Sequence, residues 1–131
     1  MHQHRMMHRD LKPENMLVQD IADSDRIDVK LTDFGFATTW KAGEELDLSL
    51  GSPLYMAPEL VKEETYDNRV DVWSTGVIAY ILLSGIPPFI GKSKELIYSA
   101  IVEKPLDFGH FFAKVSNEAK DFIKKCLQKN Y

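Results

Sequence analysis

The side chains best suited to chemistry lie between positions 10 and 33. Asp10 offers a carboxylate that could orient a hydroxyl group and accept its proton, and Lys12 offers a compact positive charge. Asn15 and Asp33 add the hard oxygen ligands that Mg²⁺ prefers. Taken singly, each aspartate is more often a turn former or helix cap, and the lysine a solvated surface charge. The sequence around these residues has to decide between the two interpretations.

Three motifs provide that context. The segment His8–Asn15 reads His-Arg-Asp-Leu-Lys-Pro-Glu-Asn and matches the pattern H-R-D-L-x-x-x-N at every specified position. Such a match arises by chance at about one start in a million. Asp33-Phe34-Gly35 and then Ala57-Pro58-Glu59 follow in the order typical of the same pattern. On these motifs the chain resembles a eukaryotic protein kinase, and the resemblance runs from about Arg5 to the last residue.

The resemblance implies ATP-dependent transfer of a phosphoryl group to a protein hydroxyl, a reaction that depends on in-line oxygens and well-placed cations. Asp10 would accept the hydroxyl proton and aim its oxygen, and Lys12 would contact the transferring phosphate. Asn15 and Asp33 would bind Mg²⁺, whose remaining positions go to water and to ATP phosphates. The expected cofactors are therefore ATP and Mg²⁺.

Within this family the chain resembles serine/threonine kinases rather than tyrosine kinases. Lys12 and the sequence Gly51-Ser52-Pro53 carry that likeness. By the same resemblance, Ser52 would lie beside the catalytic aspartate and lysine and help to recognise a substrate hydroxyl. Leu54-Tyr55-Met56 would form the wall for the residue after the target, and Glu14 would contact an arginine before it. The expected partners are protein substrates with serine or threonine near basic residues.

Two further segments, 66–74 and 83–89, look most like calcium/calmodulin-dependent or calcium-dependent protein kinases. A calcium-sensing regulator is therefore a possible partner of the full-length protein. The resemblance also implies that Asp71 braces the backbone of His8 and Arg9.

Arg9 marks the kinase type whose activation loop is often ordered by a phosphate that pairs with this arginine. Where related kinases carry a phosphorylatable threonine, this chain has Leu48, so Ser49 is a candidate, with Thr38 and Thr39 as weaker ones. Acidic residues could instead order the loop without phosphorylation, namely Glu44, Glu45 and Asp47. All of these could equally be solvated loop residues.

The elements that must position these groups can be read from the sequence pattern. Short β-prone runs at 16–18 and 27–31 flank a polar stretch and predict a small hairpin between the two metal-binding positions. Residues 33–59 have little periodicity, which predicts a long ordered loop. Acidic residues in the hairpin turn lack the spacing and the glycine of a calcium loop, so a solvated turn is expected there.

Helices are predicted for the rest of the chain. Residues 70–84 are apolar on nearly all faces, as expected for a central buried helix that Gly85 and two prolines terminate. Two apolar stripes follow, the second after a plausible cap at Ser116, and both predict core: Leu96, Ile97, Ala100 and Ile101, then Ala119, Phe122, Ile123, Cys126 and Leu127.

The predicted fold is therefore a protein-kinase-like α+β lobe that is mainly α-helical, with a small β-hairpin. We interpret residues 1–131 as a partial kinase domain, with a catalytic loop at 8–15, an activation segment at 33–59 and a helical subdomain at 66–131. No glycine-rich phosphate loop or V-A-I-K lysine precedes His8. We therefore expect the N-terminal lobe to be absent and these 131 residues alone to be inactive. The alternative is a non-catalytic binding module that docks partners through residues 52–59 and 96–101.

Composition excludes several other classes of protein. A net charge of -4 and a pI near 5.5 give no basic field for nucleic acid. The longest apolar run, 76–83, is far shorter than the roughly 20 residues that span a bilayer. With no targeting signal, and with one cysteine, Cys126, that we expect to be buried, a reducing cytoplasmic location is expected. His2 and His4 lack the partners of a metal site.

Overall fold

The computed structural model describes residues 1–20, 27–40 and 51–129. The described strands are β1 (Met6–Met7), β2 (Met16–Asp20), β3 (Ile27–Leu31) and β4 (Thr38–Thr39), and the described α-helices are α1 (Pro58–Val61), α2 (Arg69–Ser84), α3 (Lys94–Glu103) and α4 (Asn117–Cys126). Single 3₁₀ turns connect them at His2–His4, Pro13–Asn15, Phe34–Phe36, Pro53–Tyr55 and His110–Phe112. The mainly helical α+β fold with a small β-hairpin, predicted from the sequence, is confirmed.

Strands β2 and β3 form the predicted antiparallel pair, in a register that runs from Met16 opposite Leu31 to Asp20 opposite Ile27. A second pair, β1 with β4, was not predicted. Its strands have two residues each, too short for any periodicity to show in the sequence. It joins the chain just before the catalytic loop to the chain just after Asp33-Phe34-Gly35.

Helix α2 begins and ends within a residue of its predicted bounds, and Gly85 terminates it in the left-handed conformation, with φ 80°. Its residues Trp73 and Val77 are completely buried. The expectation of burial on nearly all faces is wrong for the last turn, where Leu82 is 74% exposed. Helix α4 and two 3₁₀ turns pack on α2, and Leu82 is turned away from the core that they form.

Serine caps begin the next two helices. The Ser93 hydroxyl accepts a hydrogen bond from the Leu96 N–H at the start of α3, and the Ser116 hydroxyl accepts one from the Ala119 N–H at the start of α4. The prediction for Ser116 is confirmed.

The predicted core stripes need two corrections. Ala100, Ile101 and Ile123 are buried as expected, but Leu96 is 54% exposed and Phe122 is 49% exposed. Successive helical residues are turned by about 100°, so both residues fall at the edge of their stripe rather than at its centre. Apolar identity alone overestimated the width of the buried face.

The core extends from these helices to the activation segment. Trp73 stacks on Phe89 with ring centroids 5.8 Å apart, and Met56 and Ala57 belong to the same buried cluster. The Ser74 hydroxyl of α2 donates a hydrogen bond of 2.8 Å to the Tyr55 carbonyl. The chain after Ser52 is therefore fixed to the central helix.

Cys126 is buried, as predicted. In the described ranges, no helix combines the length and apolar character that a membrane span requires.

Candidate active site

Residues 8–15, the predicted catalytic loop, are fixed to helix α2 by a buried carboxylate. Asp71 is 3% exposed, and its two oxygens accept hydrogen bonds from the backbone N–H groups of His8 at 2.8 Å and Arg9 at 2.9 Å. The His2 ring nitrogen lies 2.9 Å from the same carboxylate. Arg9 has φ 67°, a left-handed conformation that costs a non-glycine residue about 1–2 kcal/mol. The hydrogen bonds from Asp71 hold this strained backbone in place.

The Arg9 side chain spans the base of the site. Its Nε donates to the Phe36 carbonyl at 2.6 Å, and its Nη1 donates to the Tyr66 hydroxyl at 3.1 Å. The first bond reaches the residue directly after Asp33-Phe34-Gly35. The sequence did not predict the contact of Arg9 with Tyr66, because 57 positions separate the two residues.

Asp10, Lys12 and Ser52 form one hydrogen-bonded group. The Lys12 ammonium donates to Asp10 Oδ2 at 2.7 Å and to Ser52 Oγ at 3.1 Å. Ser52 in turn donates to Asp10 Oδ1 through its hydroxyl at 3.0 Å and its backbone N–H at 3.1 Å. A carboxylate and a cation that are two positions apart thus meet a hydroxyl that is 40 positions beyond Lys12 in the chain.

This group holds the Asp10 carboxyl in its ionised form. Burial by itself raises the pKa of Asp10, but the hydrogen bonds and charge of Lys12 and the hydrogen bonds of Ser52 outweigh it, and the net pKa lies below the usual value. The hydrogen bond to Asp10 raises the pKa of Lys12. Both charges are therefore present at neutral pH. A carboxylate with a lowered pKa is a weak base, so it is better suited to orienting a hydroxyl than to removing its proton early.

Asn15 and Asp33 occupy the same end of the β2–β3 pair. The Asn15 amide nitrogen donates to the Asp10 carbonyl at 2.9 Å, and the Asn15 backbone carbonyl accepts from the N–H of Thr32, the neighbour of Asp33. Asp33 is exposed, has φ 59° and accepts a hydrogen bond from the Gly35 N–H. An amide oxygen and an exposed carboxylate are hard donors, so the chemistry of this pair fits Mg²⁺.

The remaining predicted residues lie at the edge of this site or outside the description. Glu14 is exposed on the catalytic loop, and its charge contributes to raising the pKa of both Lys12 and Tyr55. Thr38 and Thr39 form β4, with Thr39 exposed. Ser49 and the acidic residues near it lie outside the described residues.

Comparison with known proteins identifies the family. The protein kinase domain model matches residues 1–131. Calcium-dependent protein kinase 8 of rice (Oryza sativa) is 45% identical over 130 residues, which are 98% of this chain and 24% of that protein. Calcium-dependent protein kinase 5 of Plasmodium falciparum is 43% identical over 131 residues, 99% of this chain and 22% of that protein. The chain spans about a quarter of the length of these relatives, and it belongs to the protein kinase family.

Proposed function

We propose that the protein catalyses ATP-dependent phosphorylation of serine and threonine residues in proteins. The observation that carries this proposal is the hydrogen-bonded group of Asp10, Lys12 and Ser52. A hydroxyl group already occupies a position 3.0 Å from the Asp10 carboxylate, supplied by the chain's own Ser52. An incoming serine or threonine would present the same chemical group to the same carboxylate.

Each side chain has a defined task in this reaction. Asp10 accepts a hydrogen bond from the substrate hydroxyl, aims its oxygen at the γ-phosphorus, and takes the proton as the new O–P bond forms and the bond to ADP breaks. Lys12 balances the charge that spreads over the transferred phosphoryl group. Asn15 and Asp33 would bind Mg²⁺, which when bound neutralises charge on the ATP phosphates.

Substrate choice involves two further residues in this proposal. Glu14 is exposed, and among the described residues it forms no ion pair, so its carboxylate is available to an arginine of the substrate. Ser52, fixed through Tyr55 to α2, helps to recognise the hydroxyl. Proteins with a basic residue near the target serine or threonine are the expected substrates.

Regulation completes the proposal. The two relatives named above are calcium-dependent protein kinases, which supports control by a calcium-sensing regulator. The Arg9 side chain faces Phe36 and Tyr66 and would also be the partner of a phosphate on Ser49 or, less favourably, on Thr38 or Thr39. We expect the protein to act in the cytoplasm.

The test is Mg²⁺-dependent transfer of labelled phosphate from ATP to peptides that differ only in the acceptor: serine, threonine or tyrosine. The protein is expressed from its whole natural open reading frame. Transfer to serine and threonine, but not tyrosine, is the expected result, and Asp33→Asn should abolish it. The matched control is Asp107→Asn, at an exposed position between α3 and the 3₁₀ turn His110–Phe112, which should retain activity. A folded protein that binds these peptides but transfers no phosphate would favour the binding module instead.

A further inference from the structure

A cavity of about 340 Å³ opens beside the catalytic carboxylate and reaches helix α3. Its lining includes Asp10 and Lys12 of the catalytic loop, Met56 of the activation segment, and Lys94 and Tyr98 of α3. Pockets that bind parts of ligands have volumes of several hundred Å³, so this one has room for side chains of a bound peptide. The resemblance drew attention to Asp10, Lys12 and Met56, but not to Lys94 or Tyr98.

The two residues of α3 are held in place by the fold. The Tyr98 hydroxyl donates to the Met56 sulfur at 3.3 Å, which joins α3 to the activation segment. The Lys94 ammonium lies 5.2 Å from the centre of the Tyr98 ring, within the range of a cation–π contact. Lys94 is the first residue of α3, directly after its capping serine. A regular helix therefore positions both side chains.

The charges around the cavity do not balance. Lys12 is paired with Asp10 at 2.7 Å, so these two cancel. Lys94 is exposed and forms no ion pair with any carboxylate in the described ranges. The residues that line the cavity therefore include one more cation than anion, next to an apolar surface of Met56 and Tyr98. A side chain with a short apolar stem and a carboxylate matches both properties.

We propose that Lys94 and Tyr98 form a subsite for an acidic residue of the substrate, within a few positions of the phosphorylated serine or threonine. The inference rests on the proposed function, because that function assigns the neighbouring carboxylate of Asp10 to a substrate hydroxyl. The substrate glutamate or aspartate pairs with Lys94, and its methylene groups lie against Tyr98 and Met56. Glu14 does not line this cavity, so a basic residue elsewhere in the same peptide is compatible with it.

The first experiment is a peptide scan with the protein from its whole natural open reading frame. A single glutamate is moved through the three positions on each side of the target serine, and each peptide is compared with its glutamine counterpart. At one position or more, glutamate should raise kcat/KM about three- to fivefold, mainly through KM, as expected for a partly exposed ion pair. High salt should remove the preference, because it screens exposed charges. Equal rates for all glutamate and glutamine pairs would overturn the proposal.

Charge reversal identifies the residue responsible. Lys94→Glu should reverse the preference, so that lysine becomes better than glutamate at the same peptide position. Lys92→Glu is the matched control, since Lys92 is exposed nearby but does not line the cavity, and it should keep the glutamate preference. If Lys94→Glu kept that preference, the subsite would lie elsewhere. Both changes are on the surface, where substitutions are usually tolerated.

Peptide affinity without ATP separates this proposal from the proposed function. Fluorescence anisotropy of labelled peptides reports binding whether or not phosphate is transferred. Tighter binding of the glutamate peptide, reversed by Lys94→Glu, would support the subsite even if no peptide were phosphorylated. Phosphorylation with no glutamate preference in rate or affinity would leave the kinase function standing and refute the subsite.

Discussion

The helical part of the chain and its catalytic loop are held in place by different forces. In the helices the fully buried side chains are apolar, such as Trp73 and Ile123. In the catalytic loop most buried side chains are polar, Leu11 being the apolar exception. His8 and Asp10 depend on hydrogen bonds to keep their positions, as does Asp71 beneath them. Apolar packing tolerates swaps that conserve volume. A buried polar network is stable only when every member keeps its partner.

The backbone shows the same contrast. In the described part of residues 66–129, positive φ angles occur only at Gly85 and Gly109. In the site, by contrast, the non-glycine residues Arg9 and Asp33 have positive φ angles of 67° and 59°, in the left-handed region that is unfavourable for a residue with a side chain. Strain of this kind persists where surrounding contacts over-determine the backbone, and it is common at functional sites. The catalytic loop is thus the less stable of the two regions by itself and relies on α2.

The largest effect should follow from removing the link between the two regions. Asp71→Ala leaves the backbone N–H groups of His8 and Arg9 buried without an acceptor, which should cost about 3–5 kcal/mol in the free energy of unfolding. Urea denaturation measures this loss. Phosphate transfer at a temperature where the variant is still folded should fall by more than about tenfold, because Asp10 is no longer held in position.

The control is Asp121→Ala, which removes an aspartate that is exposed on α4 and ion-paired with Lys125. It should change stability by about 0.5 kcal/mol or less. If Asp71→Ala were as mild as this control, the loop would not depend on α2 in the way described.

A smaller effect is expected from overpacking the helical region. A Cβ atom at Gly76 would lie 2.5 Å from the Cβ of Cys126, so Gly76→Ala should destabilise the protein by about 1–3 kcal/mol. Adding Cys126→Ala should give no relief, because alanine keeps the Cβ that collides. Adding Cys126→Gly should recover part of the loss, and a double-mutant cycle from urea denaturation would measure that coupling. Identical behaviour of the two double variants would contradict the close approach of α2 and α4.

The helix caps should matter less again. Ser116→Ala removes the acceptor for the Ala119 N–H and should cost about 1 kcal/mol. Ser99→Ala, at an exposed position within α3, is the matched control and should change stability by about 0.5 kcal/mol or less. Thermal unfolding of both variants checks the difference. Equal melting temperatures would show that the cap contributes nothing.

The smallest change in stability, but a distinct change in pH dependence, is expected for Lys12→Met. Burial raises the pKa of Asp10 and Lys12 lowers it, so the variant should have a higher Asp10 pKa than the native protein. The acidic limb of the rate profile should move to higher pH. A lowered Asp10 pKa stabilises the folded protein at pH values above the unfolded value of 3.8, and this stabilisation is lost as the pH falls through the folded pKa. Lys12→Met should remove part of this stabilisation.

A ¹³C NMR titration of the Asp10 carboxyl measures this pKa without requiring activity. Lys92→Met is the control and should leave the titration unchanged. An Asp10 carboxyl that titrates at the same pH with and without Lys12 would show that the ammonium has no influence on it.

Local patterns in the sequence were sufficient for the longer regular elements and for the residue types of the site. The β2–β3 pair, helix α2 and the Ser116 cap follow from alternation, apolar length and capping chemistry within short windows. The exposure of Leu96 and Phe122 could not be predicted from such windows, because the edge of a buried helix face depends on which neighbouring elements cover it.

Long-range pairings were out of reach of the same reasoning. The β1–β4 pair and the contact of Tyr98 with Met56, 42 positions apart, leave no local signal in the sequence. The proximity of Ser52 to Asp10 was expected only because the motifs resemble a family. The residue types alone indicated the chemistry of Asp10 and Ser52, but not that the two side chains are in contact.

The most direct test of the account is phosphate transfer by Asp10→Asn in the protein expressed from its whole natural open reading frame. Asparagine has nearly the same shape, but its single amide oxygen can accept hydrogen bonds at only one of the two positions used by Lys12 and Ser52, and it cannot take the hydroxyl proton. We predict a loss of about 10²- to 10⁴-fold in kcat with little change in peptide affinity. Transfer at the native rate by a folded Asp10→Asn protein would contradict the central claim that this carboxylate acts on the substrate hydroxyl.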